Sequence, residues 1–233
     1  MTAHASYPRE ETCLPAEKNL FPFGRTSPRR PHPSYLQLFH AVKAMNREDK
    51  PFVLQFIASS HGEGTSATVV GFADAAAAHW GGRVLLVDCS STASGERLGA
   101  GSPSLLEAFS NKGALHHAMH PAPGRPGVVL ARLIAPEGVL SRVDLSDLGR
   151  LFTEAKQGFP FIVLDCQPVA ESPESLALAR CSDGTVLVVG AGSSSRSMIV
   201  QTRNDIERFG GQVIGCVLNR AKNYMPSWLQ RWF

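Results

Sequence analysis

The chain has 233 residues, of which 43% are hydrophobic and 18% are charged, and its formal net charge is +3. This length and composition favour one ordinary core, or two domains at most, and the mild charge gives no indication of nucleic-acid binding. Asp74 and His79 interrupt the longest apolar run, and no charged-then-apolar export signal opens the chain. We therefore expect a cytoplasmic protein.

Both ends of the chain are basic. Residues 1–33 are rich in proline and lack apolar periodicity, which predicts a flexible or extended arm. Residues 221–233 form a basic aromatic tail whose apolar side chains fall on one side of a helical turn: Trp228, Leu229 and Trp232. Such ends suit an anionic membrane surface or an acidic partner, whereas the alternatives are solvating arms and a tail packed on its own domain.

A strand, a glycine-rich turn and a helix follow one another near residue 60. The apolar run at 52–58 predicts a buried parallel strand, and an alanine-rich helical pattern extends over 66–80. Gly62 and Gly64 lie between them. Glycine lets backbone amides turn inward, and a helix start offers unpaired N–H groups, so this stretch predicts a phosphate-binding loop.

The loop departs from the pattern GxxxxGK[ST], whose lysine reaches the β and γ phosphates and whose hydroxyl binds magnesium. The hydroxyl is present as Ser66, but Thr65 stands at the lysine position. No other lysine or arginine occurs between Pro51 and Arg83. The candidate nucleotide-binding residues are Gly62, Glu63, Gly64, Thr65, Ser66 and Ala67.

Strands and helices alternate along the rest of the chain. Predicted strands cover 83–88, 127–133, 159–165, 185–189 and 212–218, and predicted helices cover 34–45, 103–111, 114–120, 145–157, 173–179 and 195–209. This alternation predicts an α/β fold with a parallel sheet covered on both faces. Two of the strands end on Asp88 and Asp165, so both carboxylates should emerge beside the loop at the carboxyl ends of the strands.

Cys89 and Cys166 each follow one of these carboxylates. A redox pair or a metal site is one interpretation, but both positions favour a small core residue. None of the five cysteines has CxxC spacing, which is typical of reduced thiols.

Several motifs occur in a recognisable order, and their family resemblance covers residues 34–220. They are GEGTS at 62–66, VLLVD at 84–88, LLEAFSNKGALHHAMHPAP at 105–123, IVLDCQP at 162–168, SDGTVLVV at 182–189 and VIGCVLNR at 213–220. The chain resembles the cytoplasmic domain of the bacterial tyrosine kinases of capsule and exopolysaccharide synthesis, relatives of the cell-division and partitioning ATPases. The resemblance implies a three-layer, doubly wound P-loop NTPase fold of the deviant-Walker, SIMIBI-like class.

The resemblance also implies roles for individual residues. Asp88 and Asp165 would be the catalytic carboxylates, would order water, and would hold magnesium together with Ser66. Asn219 would meet the nucleotide base. The implied cofactor is ATP or ADP with Mg2+, and the implied partner is a membrane-anchored chain-length regulator or export protein. Homo-oligomers and a peripheral position at the inner face of the plasma membrane are further implications.

Four departures from the family pattern point to impaired catalysis. Thr65 replaces the P-loop lysine, and Ser60 stands where the partitioning ATPases carry an extra lysine. The family's DxDxR reads DCSST at 88–92, and its ExxRxxR helix reads YLQLFH at 35–40. The tyrosine-rich tail is missing, because Tyr224 is the only tyrosine after residue 35.

Loss of the lysine should weaken nucleotide affinity about 10- to 100-fold, whereas a missing catalytic cation costs on the order of 10³–10⁵ in rate. Three readings follow: a relic that binds nothing, weak nucleotide binding without turnover, and an active autokinase or partitioning-type ATPase. The first two describe a pseudoenzyme that regulates capsule or exopolysaccharide synthesis, holdfast-type adhesins included. The third describes a nucleotide-driven localisation switch.

Overall fold

The structure is a computed structural model that describes residues 31–46, 49–80, 82–90, 102–135, 143–173 and 175–221. Most of the arm at 1–33 and nearly all of the tail at 221–233 lie outside these ranges, so the predictions made for them stay predictions. Within the described ranges, no helix is long and apolar enough to cross a membrane.

A seven-stranded sheet forms the centre of the fold. Its strands are β1 (Phe52–Ala58), β2 (Val84–Asp88), β3 (Met119–Pro121), β4 (Val128–Arg132), β5 (Phe161–Asp165), β6 (Gly184–Gly190) and β7 (Val213–Asn219). They lie in the order β3-β4-β2-β5-β1-β6-β7, and all neighbours are parallel except β3 and β4. The predicted parallel sheet is confirmed, with one antiparallel strand added at its edge.

The predicted helix at 114–120 is wrong. This segment forms a short 3-10 helix at Leu115–Ala118 and then enters β3, where Met119 pairs with Ala131 of β4. Leu115, Ala118 and Met119 are buried. A single turn of helical spacing carries little information, and pairing with the edge of the sheet satisfies the backbone better than a second isolated turn would.

The other predicted helices are present, with ends that differ by a few residues from the predicted ones. They are α1 (Pro33–Met45), α2 (Thr65–Trp80), α3 (Leu105–Ser110), α4 (Leu145–Ala155), α5 (Ser175–Arg180) and α6 (Arg196–Arg208). Local sequence explains several starts. Ser104 and Glu107 form a capping box on α3, and the side chains of Asp144 and Ser195 cap α4 and α6.

Two hydrophobic cores flank the sheet and make the fold three-layered. On one face α1 and α2 pack on the strands through an aromatic cluster that includes Phe39, Phe72 and Phe161, with ring centroids 5.7 to 6.4 Å apart. On the other face α3 to α6 cover the sheet with aliphatic side chains. Because both faces are covered, the strands read as continuous apolar runs.

One buried polar side chain breaks the apolar run of β1. Gln55 is fully buried, and its amide nitrogen donates to the carbonyl of Ser175 at 2.8 Å. Its amide oxygen accepts a hydrogen bond from the Thr185 hydroxyl at 2.9 Å. These contacts join the central strands to α5, so the polar group is satisfied where water cannot reach.

We predict that Gln55→Leu lowers the free energy of unfolding by about 2–5 kcal/mol, because two buried polar groups then lack partners. The measurement is a denaturant unfolding curve. Adding Thr185→Val to this variant removes one orphaned hydroxyl and should recover part of the loss. Wild-type stability in Gln55→Leu would contradict the prediction.

Candidate functional site

A cleft of about 450 Å3 opens at the carboxyl ends of the central strands. Residues 60–67 form one wall, and residues 165–168 with Glu171 form another. The predicted loop residues Gly62, Glu63, Gly64, Thr65, Ser66 and Ala67 all line it, as do Asp88 and Asp165. The strand order explains why the loop and the two aspartates lie together, because β1 lies directly beside β5, and β5 beside β2.

The loop takes backbone conformations that require glycine. Gly62 and Gly64 have φ angles of 77° and 86°, in the left-handed region. After Gly64 the chain enters α2, and the carbonyl of Gly64 accepts hydrogen bonds from both the backbone amide and the hydroxyl of Thr68 at 3.0 Å. The first residues of α2 therefore line the cleft, where free amides attract an anion.

Asn219 holds this loop from the end of β7. Its side-chain amide donates to the carbonyl of Glu63 at 2.9 Å, and a Cβ built on Gly64 would lie only 2.2 Å from the same nitrogen. Glycine is therefore needed at position 64 for two reasons: the left-handed backbone of the turn and the close approach of Asn219. Asn219 contacts the loop but is not among the residues that line the cleft, and its contact with a base stays a prediction.

The Glu63 carboxylate stabilises the loop through its hydrogen bonds. This side chain is buried and accepts hydrogen bonds from the backbone amide of Ser59 at 3.2 Å and from the hydroxyls of Ser193 and Ser194. The loop is thereby tied to the connection between β6 and α6. No local pattern predicts this second contact, because it joins residues about 130 positions apart.

Asp88 and Asp165 occupy paired positions at the ends of β2 and β5. Residues paired in register on neighbouring parallel strands point to the same face of the sheet, so both carboxylates project from one face. Their strands lie about 4.8 Å apart. The Asp88 carboxylate accepts hydrogen bonds from the amide and the hydroxyl of Ser90, at 2.9 and 2.7 Å. Ser90 also lines the cleft and was not singled out by the sequence.

These donors fit a magnesium ion bound with a nucleotide. Two carboxylates and the Ser66 hydroxyl supply hard oxygen ligands, and Mg2+ in such sites usually takes its other ligands from phosphates and water. Among the described residues there is no cluster of three or more His, Cys, Asp or Glu side chains that would hold a metal by themselves. These residues therefore suit a magnesium ion that is also coordinated by a phosphate ligand.

Sequence reasoning missed the basic side chains near the cleft. Arg220 lines the cleft from the end of β7. His61 pairs with Glu171 at 2.8 Å on its rim. Arg132, paired in register with Asp88, is buried, and its Nε has no hydrogen-bond partner among the described residues. A search confined to the loop's own sequence could not reveal these groups.

Cys89 and Cys166 are free, buried thiols directly behind the carboxylates. Burial raises the pKa of the Cys89 thiol well above its usual range, and the hydrogen bond with Cys166 raises it further. A neutral thiol is a poor nucleophile and a poor metal ligand. The protonated Cys89 thiol therefore acts as a small core side chain, and Cys166 is likewise buried in the core.

No family model matches the chain. Sequence relatives include CapB of Staphylococcus aureus, whose name assigns it as a tyrosine-protein kinase, at 29% identity over 75 residues. Another is the tyrosine-protein kinase CpsD of Streptococcus agalactiae, at 24% identity over 79 residues. The matched segments span 32% and 34% of this chain and 33% and 34% of those relatives, or about a third of their length.

Solved structures with the same fold cover most of the chain. The VpsO kinase domain matches with a TM-score of 0.63 at 19% identity, over 81% of this chain and 97% of that one. The kinase domain of Escherichia coli ETK matches with a TM-score of 0.66 at 16% identity, over 82% and 79%. The cell-division ATPase MinD of Pyrococcus furiosus matches with a TM-score of 0.57 at 20% identity, over 76% and 77%.

These comparisons confirm the resemblance and the fold class. The chain is similar in sequence to bacterial capsule tyrosine kinases, and its architecture is that of the P-loop NTPase-fold kinases and of MinD.

We predict that Gly64→Ala lowers the melting temperature more than Gly62→Ala does. Both substitutions impose a left-handed alanine, at about 1–3 kcal/mol, but a Cβ at Gly62 meets nothing within 4 Å, whereas one at Gly64 strikes Asn219. Thermal unfolding should separate the two variants by several degrees, since 1 kcal/mol shifts the midpoint by about 2–4 °C in a domain of this size. Equal melting temperatures would argue against the Asn219 contact.

Proposed function

We propose that this protein is a catalytically impaired, tyrosine-kinase-like P-loop protein that regulates capsule or exopolysaccharide synthesis, holdfast-type adhesins included. One observation carries the proposal: a loop held in phosphate-binding shape by Asn219 and Glu63 has Thr65 at the position of its lysine. The binding framework is intact while the loop's own charge is absent. That combination favours ligand recognition over phosphoryl transfer.

The loss of one cation affects nucleotide affinity much less than it affects the rate of phosphoryl transfer. Backbone amides, two carboxylates and a hydroxyl still offer contacts to phosphates and magnesium, so weak binding of ATP or ADP remains. Transfer of a phosphoryl group depends more strongly on positioned cations, which contribute on the order of 10³–10⁵ in rate. The protein would thus bind a nucleotide, weakly, and release it unchanged.

The proposed partner is a membrane-anchored chain-length regulator or export protein, met at the inner face of the plasma membrane. Two things support this assignment: the similarity to capsule tyrosine kinases and the basic aromatic tail at 221–233. Polybasic segments bind anionic lipids with up to about 1 kcal/mol per residue, and the aromatic side chains suit the interface.

A second candidate is an active switch, either an autokinase or a partitioning-type ATPase. The paired placement of Asp88 and Asp165 beside Ser66 favours it, because a relic has no need to keep magnesium ligands in register. Phosphate release separates the two candidates.

We predict that the purified chain, with ATP and magnesium, releases phosphate no faster than its Asp165→Asn variant. The expected equality follows from the absence of the loop lysine. A coupled phosphate assay provides the measurement, and thermal unfolding should show that the variant is folded. A clearly higher rate in the wild type would establish turnover and favour the active switch.

The tail provides an independent test of the membrane assignment. Deletion of residues 224–233 should release the protein from membranes, or from its membrane partner, with little change in melting temperature. If the tail packs on its own domain instead, the deletion removes a hydrophobic cluster worth about 2–5 kcal/mol, and the melting temperature falls by several degrees. Membrane fractionation and thermal unfolding of the same variant distinguish these outcomes, and retained localisation with a large thermal loss would exclude the anchor.

A further inference from the structure

We propose that Arg220 supplies the phosphate-binding charge of this cleft, in place of the lysine that the loop lacks. The ligand class is a nucleoside di- or triphosphate with magnesium. This inference rests on the proposed nucleotide binding and adds the residue that makes such binding feasible.

The backbone at the end of β7 directs Arg220 toward the loop. Arg220 has a φ angle of 58°, a left-handed conformation that few non-glycine residues adopt, and its amide donates to the Asn219 side-chain oxygen at 2.9 Å. The same Asn219 side chain binds the loop at Glu63. One asparagine thus fixes both the loop and the turn that carries the arginine.

The guanidinium lies against the phosphate-binding turn. A Cβ placed on Gly64 would have Arg220 Nε among its nearest neighbours, at 4.0 Å. Gly64 directly precedes Thr65, so Arg220 lies close to the region that a loop lysine would serve. Both Arg220 and Thr65 line the cleft.

The charges around the cleft explain why a cation at this position would strengthen the binding of an anionic ligand. Besides Glu63, whose carboxylate is buried and bound by serines, three described lining residues are acidic: Asp88, Asp165 and Glu171. Arg220 is the one permanently charged cation among the described lining residues. Arg132 is not among them. An acidic cleft would repel a polyphosphate, and magnesium alone leaves much of the ligand's negative charge unbalanced.

Arg220 is also available for a ligand. No ion pair joins its guanidinium to a carboxylate among the described residues, and the residue is exposed. Arginine presents a planar set of donors that matches phosphate oxygens in pairs. The side chain therefore combines a suitable position with unused binding capacity.

The test is titration of the full chain with fluorescently labelled ATP and ADP in the presence of magnesium. Arg220→Gln removes the charge and keeps a Cβ, so the left-handed backbone costs the same as in the wild type. We expect it to weaken binding of both nucleotides about 10- to 100-fold, the range for a lost charge-assisted contact. Arg208→Ala, an exposed arginine on α6 outside the cleft, is the matched control and should leave affinity unchanged.

A rescue variant separates ligand binding from support of the loop. Thr65→Lys combined with Arg220→Gln restores a cation within the loop and should recover most of the lost affinity. Failure of this rescue would mean that Arg220 maintains the shape of the loop, and the inference would be wrong. Thermal unfolding of each variant accompanies the titrations.

Three further outcomes show whether this inference and the proposed function stand or fall separately. Equal affinities of wild type and Arg220→Gln would overturn the role of Arg220 and leave nucleotide binding standing. Binding by Thr65→Lys but not by the wild type would show that Arg220 does not replace the lysine. Absence of binding in both would overturn the inference together with the nucleotide-binding part of the proposed function, and leave the regulatory role to the membrane tests.

Discussion

The hydrogen bond from the Asn219 amide to the Glu63 carbonyl, 2.9 Å long, connects the last described strand to the phosphate-binding loop. Around it the loop has little freedom: the Glu63 carboxylate binds the connection before α6, and Gly64 leaves no room for a side chain. The loop is therefore held in shape by contacts within the chain. Preorganisation of this kind lowers the ordering cost that binding would otherwise incur.

A preformed loop that lacks its lysine affects nucleotide binding and phosphoryl transfer to different extents. Binding draws on many modest contacts, so the loss of one cation reduces affinity without abolishing it. Catalysis draws on charge placed where the transition state develops it, and there one missing cation has a much larger effect. Under the proposed function, such a site would change its occupancy with nucleotide concentration and leave the nucleotide intact, as a regulator of polysaccharide synthesis would require.

The sequence match and the fold match cover different shares of the chain. Sequence similarity to capsule tyrosine kinases is confined to about a third of the chain, whereas the fold match with kinase domains extends over about four fifths of it. A sheet of this kind can be shared at low sequence identity, because its apolar pattern is set by burial on both faces and tolerates many exchanges of similar size.

The sequence by itself determined the alternation of strands and helices, the loop at 62–67 and the two aspartates at strand ends. These are local patterns, and parallel strands necessarily bring their carboxyl ends to one edge of the sheet. Tertiary structure alone decided the edge strand β3, the hold of Asn219 on the loop, the carboxylate contacts of Glu63 and the place of Arg220. Each depends on residues that are far apart in the chain and are brought into contact by the strand order and the backbone turns. A local sequence pattern does not predict these long-range contacts.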